Sequence, residues 1–103
     1  SVPGVFTATE SHAALAAGAS GLKFFPAFLL GPKGIQAIQT ILPIGTPVCA
    51  VGGIGHEDFA AYIKAGINGF GMGSSLYKPG DTAASVGVKA RAIVAAYDEA
   101  LTA

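Results

Sequence analysis

Charge is scarce in this chain: six basic and six acidic residues among 103, or 12% charged, against roughly 25% in an ordinary soluble domain. The charges balance to zero and are scattered singly, which excludes the basic footprint of a nucleic-acid binder. An anionic ligand would have to be held by local groups. The single cysteine, Cys49, excludes an intramolecular disulfide, reads as a small core residue within an apolar run, and fits a reducing cytoplasm. No apolar run reaches the roughly 18 residues of a membrane-spanning helix. The charge-free stretch from Gly34 to Gly55 is broken by Gln36, Gln39, Thr40, Pro43, Gly45, Thr46 and Pro47. The first residues, Ser1 to Phe6, carry no basic region followed by an apolar stretch, so no secretory address is expected. No paired His or Cys spacing suggests a metal. Nor is a Ser/His/Asp arrangement legible, although Ser74, His56 and Asp58 are all present.

What the chain has in quantity is apolar material, 51% of its residues, cut into short pieces by 15 glycines and six prolines. That much Val, Ile, Leu and Phe excludes disorder, and the length suits one core. Short β-rich runs alternate with helical patterns, as expected for a parallel sheet covered by helices. The first strand reads as Val2 to Phe6, and Thr7 and Glu10 have the spacing of a capping box for a helix ending at Ala17, with Gly18 in the left-handed position. A second strand, Gly21 to Phe25, ends at Pro26, and its helix opens near Pro32 with Ile35, Ile38, Ile41 and Leu42 on one face. Pro43 stops it. The third strand, Pro47 to Val51, leads into Gly52-Gly53, and Glu57 and Asp58 suit the start of a helix running to Ala65. The fourth, Gly69 to Met72, precedes a helix from about Asp81 whose buried face reads as Val86, Ala90, Ile93, Val94, Tyr97 and Leu101.

These are four consecutive β/α units. Ala17-Gly18-Ala19-Ser20-Gly21 is echoed by Ala65-Gly66-Ile67-Asn68-Gly69, which suits a repeating architecture. Eight strands are needed before inward side chains fill a (β/α)8 barrel, whereas four leave two unpaired edges and an open face. Residues 1–103 therefore read as the second half of one barrel domain, to be completed by another segment or chain.

Lys23 is the most informative residue. Amid Leu22, Phe24 and Phe25 it loses hydration, which favours the neutral, nucleophilic amine. Alternation along the strand turns Lys23 and Phe25 one way and Leu22 and Phe24 the other. Spacing alone favours a strand-end lysine whose ammonium reaches water. Two glycine-rich strand ends, Gly52-Gly53 and Gly71-Met72-Gly73-Ser74-Ser75, fit the loops that hold phosphate on backbone N–H groups in (β/α)8 barrels; they fit two tight turns as well. Neither matches a nucleotide fingerprint. His12 and His56 read as solvated helix-start residues, and Tyr62, Tyr77 and Tyr97 as helical packing.

In order along the chain, Pro3-Gly4-Val5, Thr7-Ala8-Thr9-Glu10, Leu22-Lys23-Phe24-Phe25-Pro26, Gly31-Pro32, Leu42-Pro43, Val51-Gly52-Gly53-Ile54 and Gly71 to Tyr77 closely resemble the C-terminal half of the 2-dehydro-3-deoxy-6-phosphogalactonate and phosphogluconate aldolases. The resemblance implies a class I, Schiff-base enzyme on a (β/α)8 barrel, commonly trimeric, cytoplasmic, needing neither cofactor nor metal. It implies that Lys23 forms the Schiff base, that Gly52, Gly53, Gly73 and Ser74 bind the substrate phosphate, and that Phe25 and Pro26 line the cavity. The substrate it implies is a phosphorylated 2-keto-3-deoxy sugar acid, cleaved to pyruvate and glyceraldehyde 3-phosphate. Val51 resembles the galactonate-type choice, where phosphogluconate aldolases tend to have Thr. Phe6 departs from the small residue usual after Pro-Gly-Val. The general-base Glu and the carboxylate-binding residues belong to the family's N-terminal half, and Glu10, a capping residue, is poorly placed to substitute. Two other readings share the glycine loops: a non-catalytic phosphate-binding half-barrel, and a different phosphate-binding barrel enzyme such as an isomerase.

Overall fold

The computed structural model describes residues 1–103. Four parallel strands, β1 (Gly4–Val5), β2 (Leu22–Phe24), β3 (Val48–Val51) and β4 (Gly69–Gly71), lie in sequence order in one sheet. Between them run α1 (Ala8–Ala16), α2 (Ala27–Gln39) and α3 (Phe59–Lys64), with a 3-10 turn, His56–Asp58, ahead of α3; α4 (Ala83–Leu101) closes the chain. Consecutive parallel neighbours are the arrangement of four successive units of a (β/α)8 barrel, as the sequence pattern implies. The strands are shorter than the sequence suggests, but hydrogen bonding continues just past their ends: the Lys23 N–H donates to the Pro3 carbonyl and the Leu22 N–H to that of Pro47.

Alternation divides the sheet cleanly. Val5, Phe24, Ala50 and Phe70 form one row in register, and Gly4, Lys23, Cys49 and Gly69 form the next. The first row faces the helices. Leu22, Phe24 and Ala50 are wholly buried there with Ile35, beside Val48 and Phe59; each large apolar side chain so buried contributes about 1.5–3 kcal/mol. The second row faces the open side, which corrects the expectation for Cys49: it is half-buried and lies outside the core, since Val48 and Ala50 take the helix side.

The Thr7 capping box forms, with the Glu10 N–H donating to Thr7 Oγ1 at 3.1 Å and the Thr7 N–H to Glu10 Oε1 at 3.2 Å. α2 starts five residues before Pro32, since Ala27–Leu30 makes a first turn; Gly31, at φ 67° and ψ 171°, breaks it and restarts the helix at Pro32. Gly18 and Gly66, the echoed positions, both take positive φ (99° and 107°) at helix ends.

Phe59 stacks on Phe70 at 4.4 Å between ring centroids, and Tyr97 meets both edge-on at 6.1 Å. This cluster holds α3 and α4 to β4. Asn68 adds a polar tie: its side chain accepts from the Val48 N–H at 2.9 Å and its carbonyl accepts from Tyr97 Oη at 3.1 Å. The stripe of α4 that packs on the core, partly buried, is Ile93, Ala96, Tyr97 and Ala100, at i, i+3, i+4 and i+7. Val94 and Leu101, expected on that face, lie one residue further round and are exposed. Tyr77 is also exposed, and it precedes α4 instead of lying in a helix. No helix is long and apolar enough to cross a membrane.

Candidate active site

Lys23 and Phe25 leave β2 on its open face, as alternation predicts. Lys23 is half-buried, and its stem crosses β1: a Cβ placed on Gly4 would lie 3.4 Å from Lys23 Cε. A larger residue at position 4 would occupy the path of the stem. The ammonium joins neither ion pair of the chain; these are Lys89 with Asp81 at 2.7 Å and His56 with Glu57 at 3.9 Å. Lys23 lines a cavity of about 200 Å³ with Gly4, Val5, Phe6, Glu10 and Phe25. Phe6, the departure noted above, stands beside the lysine. Glu10 reaches this cavity too, but its Oε1 is engaged by the N–H groups of Phe6 and Thr7, at 2.8 and 3.2 Å.

A second cavity, of about 400 Å³, adjoins the first across Phe25. It is lined by Phe25, Val51, Gly52, Gly53, Ile54, Gly55, Gly71, Gly73, Ser74 and Ser75. The four candidate phosphate-binding residues, drawn from two loops, thus meet at one place with Val51. The candidate site is therefore two-part, a lysine cavity and a glycine-loop cavity that share Phe25 in their walls. Pro26, expected to line the cavity, lines neither part. It caps α2, and the Phe25–Pro26 peptide is cis.

Gly52 and Gly53 take successive positive φ values, 101° and 67°, a region that L side chains enter only at a cost. Space is tight as well, since a Cβ on Gly52 would lie 3.1 Å from the Phe25 ring and from Pro26 Cα. The N–H groups of Gly52, Gly53, Gly73 and Ser74 have no partner within the chain, while the Gly73 carbonyl accepts from the N–H groups of Leu76 and Tyr77 at 2.9 and 3.0 Å. That turn holds the Gly73–Ser74 loop, leaving four donors free at the cavity wall. Successive free N–H groups make an anion-binding concavity without side-chain charge, which suits a neutral chain.

His12 and His56 are exposed and line neither cavity. Two groups have shifted titration. Burial, and secondarily Asp58, pushes the Tyr62 phenol up. The Lys89 ammonium and the Lys78 N–H hold the Asp81 carboxyl below its ordinary value. Both lie outside the site. Sequence reasoning missed Phe28, whose ring lies against Gly53; an aromatic residue two positions past Pro26 carries no signal until β2 and β3 are paired.

Comparison with known proteins adds to this geometry. The chain is 59% identical over 97 residues to the "Probable 2-dehydro-3-deoxy-6-phosphogalactonate aldolase" of Rhizobium meliloti (strain 1021), covering 94% of this chain and 46% of that protein. It is similar to half of a 2-dehydro-3-deoxy-6-phosphogalactonate aldolase. The Escherichia coli (strain K12) protein of that name is 46% identical over 99 residues, covering 96% of this chain and 48% of its own length. A solved structure described as native KDPGal superposes with a TM-score of 0.95 at 44% identity, covering 99% of this chain and 50% of that one. The chain spans about half the length of the curated relatives it matches. No family model matches it.

Proposed function

We propose that this chain is the C-terminal half of a (β/α)8 barrel which, once completed, is a Schiff-base aldolase cleaving 2-dehydro-3-deoxy-6-phosphogalactonate to pyruvate and glyceraldehyde 3-phosphate. The observation that carries the reading is a half-buried lysine whose cavity shares Phe25 with the cavity of two loops of free backbone donors. A 2-keto acid bearing a phosphate at its far end spans such a pair of sites.

The chemistry follows from the amine. Lys23 Nζ adds to the C2 carbonyl and water leaves, giving a protonated imine. As a base takes the proton of the C4 hydroxyl, the C3–C4 bonding pair moves into the imine. Glyceraldehyde 3-phosphate departs and an enamine remains on Lys23. Protonation at C3 and hydrolysis then release pyruvate and restore the amine. Gly52, Gly53, Gly73 and Ser74 hold the phosphate through N–H donors, and Phe25 separates it from the reacting carbons. The base comes from the other half of the barrel, because the exposed glutamate nearest Lys23, Glu10, is committed to its helix cap. Alone, the chain is inactive. The completed protein is a cytoplasmic homotrimer that needs neither metal nor cofactor, as the resemblance implies. Val51 supports the galactonate epimer, as do the names of both curated relatives.

Borohydride reduction of the completed protein with pyruvate tests the reading. An adduct on Lys23, found by peptide mass and lost in Lys23→Ala, is expected. Lyase activity without an adduct at Lys23 would overturn the mechanism. Neither adduct nor activity would favour a non-catalytic half-barrel.

A further inference from the structure

Phe28 holds the double-glycine loop by two independent contacts. Its N–H donates to the Gly52 carbonyl at 3.1 Å, and its ring covers Gly53 so closely that a Cβ there would lie 2.5 Å from Cδ1 and 2.7 Å from Cγ. The side chain is still 56% exposed, so burial in the core does not account for its place. A trans peptide sets its C=O and N–H on opposite sides. With the Gly52 carbonyl drawn toward the start of α2, the Gly53 N–H of the same peptide points away from α2. β2 and β4 flank β3 on opposite sides, so the Gly53 N–H is aimed toward the side that carries Gly73 and Ser74.

We propose that Phe28 is a positioning residue for the phosphate half of the site: its ring fixes the Gly52–Gly53 peptide so that the Gly53 N–H meets an anion shared with the Gly73–Ser74 loop. This rests on the reading above, because it concerns the phosphate end of that substrate. Phe28 lines neither cavity and acts through the Gly52–Gly53 peptide.

The two ends of the substrate can be read separately. In the completed protein, Phe28→Ala is expected to form the borohydride-trapped pyruvate adduct at the wild-type rate, since pyruvate carries no phosphate. KM for the phosphorylated substrate should rise roughly fivefold to tenfold, below the full worth of one hydrogen bond to a charged group because the bond is weakened and not lost, with little change in kcat. Phe28→Leu, which keeps an apolar cover over Gly53, should recover most of the loss. Competition by inorganic phosphate against the substrate should weaken in parallel. Unchanged KM and phosphate inhibition in Phe28→Ala, or equal loss of pyruvate trapping and phosphate affinity, would overturn the proposal. If Phe28→Ala does not fold, Phe28→Val, whose shorter side chain removes the ring and leaves Gly53 less covered than Leu does, decides it by the same split. Absence of a pyruvate adduct in the wild-type protein would instead sink the aldolase reading, and phosphate protection of the wild-type and Phe28→Ala proteins against thermal unfolding would still decide the role of Phe28.

Discussion

Val51 leans across the sheet onto Gly71, its register partner on the neighbouring strand: a Cβ on Gly71 would lie 2.6 Å from Val51 Cγ2. The open face of β3 and β4 is therefore shaped by one side chain filling the space that the other lacks. Gly71→Ala is expected to destabilise the fold by about 1–3 kcal/mol through overpacking. Val51→Ala in the same chain should return much of that, and a coupling of about 0.5 kcal/mol or more in a double-mutant urea series is the signature. Strict additivity would show that the two side chains do not compete for space.

Because Val51 lines the cavity beside Gly52 and Gly53, Val51→Thr presents a hydroxyl at nearly unchanged volume. In the completed protein, the ratio of kcat/KM for the galactonate and gluconate epimers should shift toward gluconate by roughly fivefold, the worth of one hydrogen bond. An unchanged ratio would remove Val51 from the specificity determinants.

Gly53→Ala meets two penalties, and a second glycine separates them. Gly80 also has positive φ, 99°, but a Cβ there would touch nothing within 4 Å. Gly80→Ala should cost about 1–2 kcal/mol from the backbone alone. Gly53→Ala should cost measurably more in the same urea titration, the excess reading the clash with Phe28. Equal costs would mean that the ring moves aside freely.

The Asp81 carboxylate caps the turn before α4, accepting from Lys89 Nζ at 2.7 Å and from the Lys78 N–H at 2.8 Å. These bonds favour its charged form and lower its pKa from the ordinary 3.8. A depressed folded-state pKa contributes stability above the unfolded value, and that contribution is lost as pH falls through the folded one. Asp81→Asn should therefore lower Tm at neutral pH and converge with wild type in acid, below the ordinary carboxylate value. A Tm difference that stays constant with pH would contradict this.

Lys23 illustrates how far the sequence reached. Alternation in Leu22-Lys23-Phe24-Phe25 put it on the face opposite Leu22 and Phe24, because a strand has only two faces; the burial of those two showed which face is the core. The same rule applied to Val48-Cys49-Ala50 would have turned Cys49 outward, yet an apolar run reads as core when both faces look buried. Periodicity located α4 but misjudged Val94 and Leu101, because the width of its buried stripe depends on the neighbours it meets. Pro26 was legible as a strand stop and not as a cap, since a proline after a strand reads alike whether it faces a cavity or starts a helix.

The scarcity of charge is open to the same division. The sequence by itself determined four β/α units, their parallel order, the capping of α1 and the presence of a lysine and two glycine loops at strand ends, because these depend on local propensity and period. Only the tertiary structure decided that the loops share one cavity, that Phe25 lines both it and the cavity of Lys23, and that Phe28 covers Gly53. Those relations arise between strands, where register and the absence of a Cβ set which atoms can meet. Backbone N–H groups leave little trace in composition, and so the phosphate end proposed above asks for no charged side chain from a chain with 12% charged residues.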